Sequence, residues 1–193
     1  MTDADHPSKQ ALRAEARERR RIMTQGEVAR AEQGFLTQLK AIVSEHGATT
    51  LSCYLNTIDE PPTRPFLRWA AEQGVTVLLP VSREDGLMDW AVYEDGDEAI
   101  DVLGMPYPTT GLRGPMAIHD ADLLLIPAAL VARDGARLGW GRGYFDRTLG
   151  SMEKRPPTFA VVYDHEVVDS VPTEPHDQTI DGAITPSGII RFA

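Results

Sequence analysis

The stretch that decides the fold is DLLLIP at residues 122–127, together with the glycine-rich segment RLGWGRGYFDR at residues 137–147. The first is short, apolar and closed by a proline, which predicts a strand buried on both faces of a sheet. In the second, glycines stand at positions 139, 141 and 143, and residues 144–149 predict the start of a helix. Open α/β sheets bind ligands beyond the carboxyl ends of their strands, so we expect a binding site at this loop.

The same alternation of strands and helices extends in both directions from this segment. Helical patterns occupy residues 9–23, 27–46 and 65–73, and apolar or alternating strand patterns occupy residues 50–55, 75–80, 88–93 and 158–163. Strands that are apolar on both faces and alternate with helices predict an α/β fold with a mostly parallel sheet and helices on both faces. We expect one domain over residues 1–193, with a disordered N-terminus at residues 1–8.

Composition narrows the class of protein. The net charge is −10, which repels polyanions at long range and disfavours nucleic-acid binding. The N-terminal residues lack the apolar region of a signal peptide, and no stretch is long and apolar enough to cross a membrane. The single cysteine, Cys53, excludes an intramolecular disulfide framework. We therefore expect a cytoplasmic protein without nucleic-acid or membrane partners, either a monomer or a weak oligomer.

The glycine-rich loop has the residue types of a phosphate site. Glycines let the backbone approach an anion, and Arg137, Arg142 and Arg147 add donors for phosphate oxygens. Asp146 fits if a divalent cation arrives with the phosphates. The loop matches neither the Walker P-loop nor the GxGxxG pattern, so a glycine-rich connection with solvated arginines is the alternative.

A basic helix is predicted before the first strand. Lys9, Arg13 and Arg17 recur every fourth residue and lie along one helix face. Residues 9–21 carry six basic and two acidic side chains. This face reaches a bound triphosphate, is a solvated surface, or forms an RNA-binding arm.

Three further segments carry polar side chains. YLNTIDEPPT at residues 54–63 either starts a helix with Thr63 as its N-cap or presents Glu60 to a ligand at the sheet edge. TEPHDQTID at residues 173–181 contains His176 and Asp177, which are structural or part of a cation site. Residues 84–101 hold eight carboxylates and no basic residue, and we interpret them as a solvated hairpin and connection rather than a metal site.

In this order and spacing, these segments resemble the 5-formyltetrahydrofolate cyclo-ligase (methenyltetrahydrofolate synthetase) family. The resemblance extends from Lys9 to about Thr185, and RLGWGRGYFDR, preceded by Asp134 and Gly135, is similar to the family signature DxxGxRLGxGxGYYDR. Lys9 and Arg13 match the family's K-x-x-x-R pattern. Its Y…E-x-x-T pattern is matched by Tyr54, Glu60 and Thr63. Its P…HD…D…T pattern is matched by Pro172, His176, Asp177, Asp181 and Thr185.

The resemblance implies an enzyme that uses ATP and Mg²⁺ to convert 5-formyltetrahydrofolate, a reduced folate, to 5,10-methenyltetrahydrofolate. It implies that ATP is bound by Lys9, Gln10, Ala11, Leu12, Arg13, Arg137, Leu138, Gly139, Trp140, Gly141, Arg142, Gly143, Tyr144 and Phe145. It also implies that the folate is contacted by Leu55, Glu60, Trp140, Gly141, Arg142, Gly143 and Tyr144. From the aromatic content of the loop we expect Trp140 or Tyr144 to stack on the pterin. The resemblance also implies that Asp146 and Asp177 hold Mg²⁺, and we expect Arg142 and Lys9 to act in catalysis.

Several positions depart from the family pattern. Phe145 replaces a second tyrosine, Trp140 takes a position that is often Tyr or Arg, and residues 128–133 and Tyr107 differ from the usual residues. The last two changes raise the question of substrate preference. Two other classes of function stay open: a relative that binds folate or nucleotide without this turnover, and an RNA-associated protein that uses the helix at residues 9–21.

Overall fold

The computed structural model describes residues 7–192, and in this part of the chain four α-helices form. They are α1 (Lys9–Arg21), α2 (Gln25–His46), α3 (Arg64–Glu72) and α4 (Tyr144–Ser151). Two short 3₁₀ helices span Pro115–Asp120 and Asp164–Glu166. Residues 1–6 of the segment expected to be disordered lie outside the described residues, whereas Ser8 is ordered as the N-cap of α1, its Oγ accepting a hydrogen bond from the amide of Ala11.

The strands form one large sheet and two small ones. In chain order they are β1 (Thr50–Ser52), β2 (Thr76–Ser82), β3 (Met88–Val92), β4 (Glu98–Ile100), β5 (Pro106–Pro108), β6 (Leu112–Arg113), β7 (Leu123–Pro127), β8 (Leu130–Ala132), β9 (Arg137–Leu138), β10 (Thr158–Val161), β11 (Val167–Val168), β12 (Gly182–Thr185) and β13 (Gly188–Arg191). The large sheet has the order β13-β12-β10-β7-β1-β2-β3-β6. Its centre, from β12 to β2, is parallel, and β13, β3 and β6 are antiparallel. The predicted α/β class with a mostly parallel sheet is confirmed.

Helices cover both faces of this sheet. Strand side chains alternate between two apolar clusters, so that Leu123 and Leu125 of β7 contact one and Leu124 and Ile126 the other. Helices α2 and α3 bury Phe35 and the rest of their apolar faces on the first side. The second side is covered by α4 and the 3₁₀ helix at Pro115–Asp120. Within residues 7–192, no helix has the length and apolar character needed to cross a bilayer.

The predicted element boundaries were wrong in two informative places. The strand expected at residues 50–55 ends at Ser52, and the chain then runs into the loop that carries Tyr54. The strand expected to stop at Pro80 continues to Ser82, because β2 pairs with β3 as far as Ser82. Its pairing with β1 covers only Thr76–Leu78. Beyond that point β3 is the one strand of residues 7–192 that pairs with β2, so the amide that Pro80 lacks is not needed for pairing.

The prediction missed β12, a parallel strand of the large sheet. Its Gly182 suggests a turn, but a Cβ there would lie 2.2 Å from the carbonyl oxygen of Ile190 and 2.6 Å from the ring of Phe159. The glycine is therefore required by close packing against its neighbours rather than by a turn. The acidic segment does form the predicted hairpin, with β2 and β3 paired antiparallel.

Candidate active site

A cavity of about 920 Å³ opens at the carboxyl ends of β1, β2 and β7. It lies where the chain order of the parallel strands reverses, since β1 is flanked by β2 on one side and β7 on the other. This is the position at which open α/β sheets bind ligands. Of the residues assigned to the site from the sequence, all except Ala11, Leu12 and Arg147 line this cavity.

Ala11 and Leu12 point away from the cavity. Ala11 is exposed, and Leu12 packs with Ala16 and Leu138 in a small apolar cluster beside the site. The helical period explains this, because Lys9 and Arg13 share one face of α1, and Ala11 and Leu12 lie on other faces. The ATP-binding role assigned to these two side chains stays a prediction without support from the cavity.

The glycine loop forms one wall. Gly141 and Gly143 have φ of +98° and +69°, which L-residues with side chains rarely adopt. Gly143 is the N-cap residue of α4, and no side chain caps that helix terminus. The positive end of α4 therefore borders the cavity, as expected for a phosphate site.

Arg137 and Asp146 form an ion pair beneath this loop. Asp146 Oδ1 accepts hydrogen bonds from Nη1 and Nη2 of Arg137, both at 2.9 Å, and from the amide of Gln178 at 3.1 Å. The side chain of Arg137 is only 3% exposed. Burial lowers the pKa of Arg137, and the charge of Asp146 opposes that change. Arg137 therefore acts first as a structural partner of the carboxylate, while Asp146 Oδ2 makes no hydrogen bond to any described residue.

Lys9 and Asp177 meet across the cavity from α1 to the segment after β11. Lys9 Nζ lies 2.9 Å from Asp177 Oδ2 and 3.3 Å from Glu174 Oε2. Burial opposes both charges, but the hydrogen bond between them prevails, raising the pKa of Lys9 and lowering that of Asp177. His176 completes a group with Glu174 and Asp177 whose ligand atoms lie within 4.8 Å of one another. The carboxylate oxygens of this group are of the kind that hold Mg²⁺ or Ca²⁺.

The remaining cations of the site differ in how firmly they are held. Arg13 Nε donates to the carbonyl of Gly139 at 2.7 Å, which ties α1 to the glycine loop. Arg142 is exposed, lines the cavity and makes no side-chain hydrogen bond or ion pair within residues 7–192. Arg147 donates to the carbonyls of Gly86 and Arg142 and lies outside the cavity lining, so the phosphate contact expected of it is not supported.

The opposite wall carries Tyr54, Leu55 and Glu60. Glu60 Oε2 accepts hydrogen bonds from the amide of Thr57 at 2.8 Å and from its hydroxyl at 3.0 Å. Burial raises the pKa of Glu60 despite these bonds. The helix that follows is capped by Asn56, whose Oδ1 accepts from the amide of Thr63, whereas the Thr63 hydroxyl donates to the carbonyl of Tyr54. Thr63 is the N-cap residue of α3, as predicted, but its side chain makes no capping hydrogen bond.

Both aromatic rings proposed to stack on a pterin already have arginine partners. The guanidinium carbons of Arg17 and Arg20 lie 4.9 and 5.1 Å from the centre of the Trp140 ring. Arg147 lies 5.0 Å from the centre of the Tyr144 ring, and the Tyr144 hydroxyl donates to the carbonyl of Arg83 at 2.6 Å. Stacking on either ring requires a face that these arginines leave open.

An apolar part of the wall was missed from the sequence. Met88 of β3 and Leu103, Met105 and Pro106, at and before β5, line the cavity. They belong to or follow the acidic segment, and no local pattern distinguishes them from surface residues. None of the departures at Tyr107 and residues 128–133, all of which the structure describes, lines the cavity. Substrate preference is therefore better examined at the apolar wall than at those positions.

Known proteins match the chain over nearly its whole length. The model of the 5-formyltetrahydrofolate cyclo-ligase family matches residues 5–186. The chain is 35% identical over 195 residues to the 5-formyltetrahydrofolate cyclo-ligase of Mycolicibacterium smegmatis, covering 96% of this chain and 97% of that protein. The fold is similar to that of the 5,10-methenyltetrahydrofolate synthetase of Aquifex aeolicus, with a TM-score of 0.79, 22% identity and coverage of 95% and 92%. The corresponding enzyme of Mycoplasma pneumoniae gives a TM-score of 0.70 at 20% identity, with coverage of 92% and 98%.

Proposed function

The chain belongs to the 5-formyltetrahydrofolate cyclo-ligase family, and on that basis we propose that it converts 5-formyltetrahydrofolate to 5,10-methenyltetrahydrofolate, consuming ATP and releasing ADP and phosphate. One observation carries the proposal. A single cavity brings a glycine loop and basic side chains together on one wall and the half-buried carboxylate of Glu60 with apolar residues on the other. The first wall suits a triphosphate, and the second suits a flat, polar-edged heterocycle.

The reaction needs an activated formyl oxygen. This oxygen attacks the γ-phosphorus, the bond to the leaving ADP oxygen breaks, and the carbon becomes a phosphorylated iminium centre. N10 of the folate then bonds to that carbon and loses its proton, and the carbon–oxygen bond breaks to release phosphate. Phosphoryl transfer of this kind depends on positioning and charge neutralisation rather than on a covalent protein nucleophile.

Basic residues of the cavity would supply that neutralisation. Arg142 is exposed and has no partner among the described residues, so its guanidinium is available to the transferring phosphoryl group. Lys9 would exchange its contact with Asp177 for a phosphate oxygen. Arg13 would hold the glycine loop against α1 through the carbonyl of Gly139.

Carboxylates on two elements fit Mg²⁺. Asp146 retains an oxygen that makes no hydrogen bond to the described residues, and Asp177 lies with Glu174 and His176 in a compact group. Asp146 and Asp177 would hold the ion beside the phosphates, where it would supply charge neutralisation for the transferring group. Asp146 is fixed by Arg137, and Asp177 is fixed by the amide of Glu174 at 2.8 Å.

The folate would lie against Leu55, Glu60 and the loop from Trp140 to Tyr144. Glu60 keeps one oxygen, Oε1, without a hydrogen bond to the described residues, and this oxygen can accept from N–H groups of a pterin. The apolar residues of β3 and of the segment before β5 would cover the rest of the ring system.

The competing RNA-binding role loses support from the same contacts. Arg19 and Arg21 pair with Glu15 and Glu18 on their own helix, and Arg20 is buried. These ion pairs neutralise much of the local positive charge that an RNA-binding helix needs. Cytoplasmic location and a monomeric or weakly oligomeric state stay predictions from the sequence.

The test is the growth of methenyl absorbance with purified protein, 5-formyltetrahydrofolate, Mg²⁺ and ATP, each omitted in turn. We expect the methenyl absorbance to grow only when all components are present. In Arg142→Ala its rate of growth should fall roughly a hundredfold or more. A flat trace with ATP still bound in calorimetry would support the nucleotide-binding relative instead. Wild-type turnover in Arg142→Ala would remove the role assigned to that side chain.

A further inference from the structure

Arg20 has an unusual position on helix α1. Among the residues of this helix, only Ala16 and Arg20 are buried. The Arg20 side chain is 2% exposed and pairs with Glu166, which is fully buried. The neighbouring Arg19 and Arg21 are exposed and pair only within the helix. Arg20 therefore differs from the other basic residues of its segment in what it contacts.

The guanidinium of Arg20 makes three hydrogen bonds to the sheet side. Nε donates to Glu166 Oε1 at 2.6 Å, and Nη2 donates to Glu166 Oε2 at 2.9 Å. Nη2 also donates to the carbonyl of Ala128 at 2.8 Å, directly after β7. Glu166 in turn accepts from the amide of Tyr163, just beyond β10. The arginine thus ties α1 to the carboxyl ends of two central strands.

The same face of α1 contacts the glycine loop. Arg13, Arg17 and Arg20 are spaced by four and three residues, which places them along one helix face. Arg13 donates to the carbonyl of Gly139, and Arg17 and Arg20 lie over the ring of Trp140. Arg20 is the member of this row that is also fixed to the sheet.

We propose that Arg20 is a positioning residue that sets the spacing between α1 and the glycine loop, and thereby the affinity for ATP. The proposal rests on the proposed function, because it takes the nucleotide to lie between Lys9 and that loop. Burial of an ion pair often stabilises a fold less than apolar residues of the same volume would. A planar guanidinium instead fixes direction, because its donors meet the Glu166 carboxylate and the Ala128 carbonyl at set angles.

The first test replaces Arg20 and leaves the rest of α1 unchanged. Arg20→Met should raise KM for ATP on the order of tenfold to a hundredfold, with a clearly smaller change in KM for 5-formyltetrahydrofolate. Arg19→Met and Arg21→Met are matched controls on the same helix and should stay within about twofold of wild type. Unchanged KM for ATP in Arg20→Met, or an equal rise in both KM values, would overturn the proposal.

A second variant covers the case in which Arg20→Met does not fold. The double variant Arg20→Met with Glu166→Met removes both buried charges, so no unpaired charge is left inside. It should unfold near the wild-type temperature and still show the raised KM for ATP. Wild-type KM for ATP in a folded double variant would show that the pair serves stability alone.

Hydrogen exchange separates this proposal from the proposed function. Absence of ATP-dependent turnover in the wild-type protein would refute the function and leave the anchoring of α1 to be judged directly. Amides in residues 9–21 and 139–143 should then exchange faster in the double variant than in Arg21→Met. Equal exchange in the two proteins would overturn the positioning role of Arg20.

Discussion

Replacement of Asp146 separates a structural role from a metal-binding role. Its Oδ1 accepts two hydrogen bonds from Arg137 and one from the amide of Gln178, whereas Oδ2 accepts none from the described residues. Asp146→Ala removes both oxygens, and Asp146→Asn keeps an oxygen for Arg137 but removes the charge. The two variants should therefore differ in stability and agree in turnover.

The expected magnitudes follow from the burial of Arg137. In Asp146→Ala this guanidinium, 3% exposed, keeps only the carbonyl of Gln178 as an acceptor. Removing one partner of a buried pair costs about 3–5 kcal/mol, and we expect the lower end because the Asp146 side chain is 20% exposed. Asp146→Asn should lose about 1–2 kcal/mol, the difference between a charged and a neutral hydrogen bond.

Turnover should fall in both variants by roughly a hundredfold or more, because both lose the negative charge that we propose to hold Mg²⁺. The assays are urea unfolding for stability, and methenyl absorbance over a Mg²⁺ titration for activity. Asp169→Asn, at an exposed position outside the cavity, is the control and should change neither quantity. Wild-type turnover in Asp146→Asn would refute the metal role, and wild-type stability in Asp146→Ala would refute the ion-pair argument.

Three other predictions test separate parts of the structure. Burial raises the pKa of Glu60 in the folded state, so the folded protein binds this proton more tightly than the unfolded chain does. The free energy of unfolding of the wild type, relative to that of Glu60→Gln, should therefore fall as the pH rises from the usual glutamate range through the raised pKa. An equal dependence on pH in the two proteins, measured by urea unfolding from pH 4 to 7, would contradict this. Gly182→Ala should destabilise the fold by about 2 kcal/mol or more through a clash with the adjacent strand, whereas Gly188→Ala, with no atom within 4 Å of its new Cβ, should have little effect in the same experiment. Lys9→Met should raise the pKa of the Asp177 carboxyl, measurable by NMR titration, and raise KM for ATP; an unchanged Asp177 titration would show that the ion pair does not form in solution.

The sequence by itself determined the α/β class and the placement of the glycine loop. Both depend on local signals, namely the spacing of apolar residues along each element and glycines where the backbone needs positive φ or close approach. Gly141 and Gly143 have the positive φ that a ligand-binding turn before α4 requires. The resemblance to the family rested on motifs of the same local kind.

The boundaries of individual strands were harder to predict, because they depend on neighbours far along the chain. Pro80 lies inside β2 because β2 continues to pair with β3 after its pairing with β1 stops at Leu78. Gly182 lies in a central strand since Ile190 and Phe159 occupy the space that a side chain would need. Neither fact can be read from the residues on either side of these positions.

The tertiary structure alone decided how the charged residues are paired. Arg20 and Glu166 are 146 positions apart, and Lys9 and Asp177 are 168 apart, yet both pairs are in direct contact. Which oxygen of Asp146 is taken by Arg137 likewise depends on the fold around it. The sequence predicts which residue types meet at the sheet edge, because the ends of parallel strands converge there. It does not predict their partners, since burial and geometry are set by elements from across the whole chain.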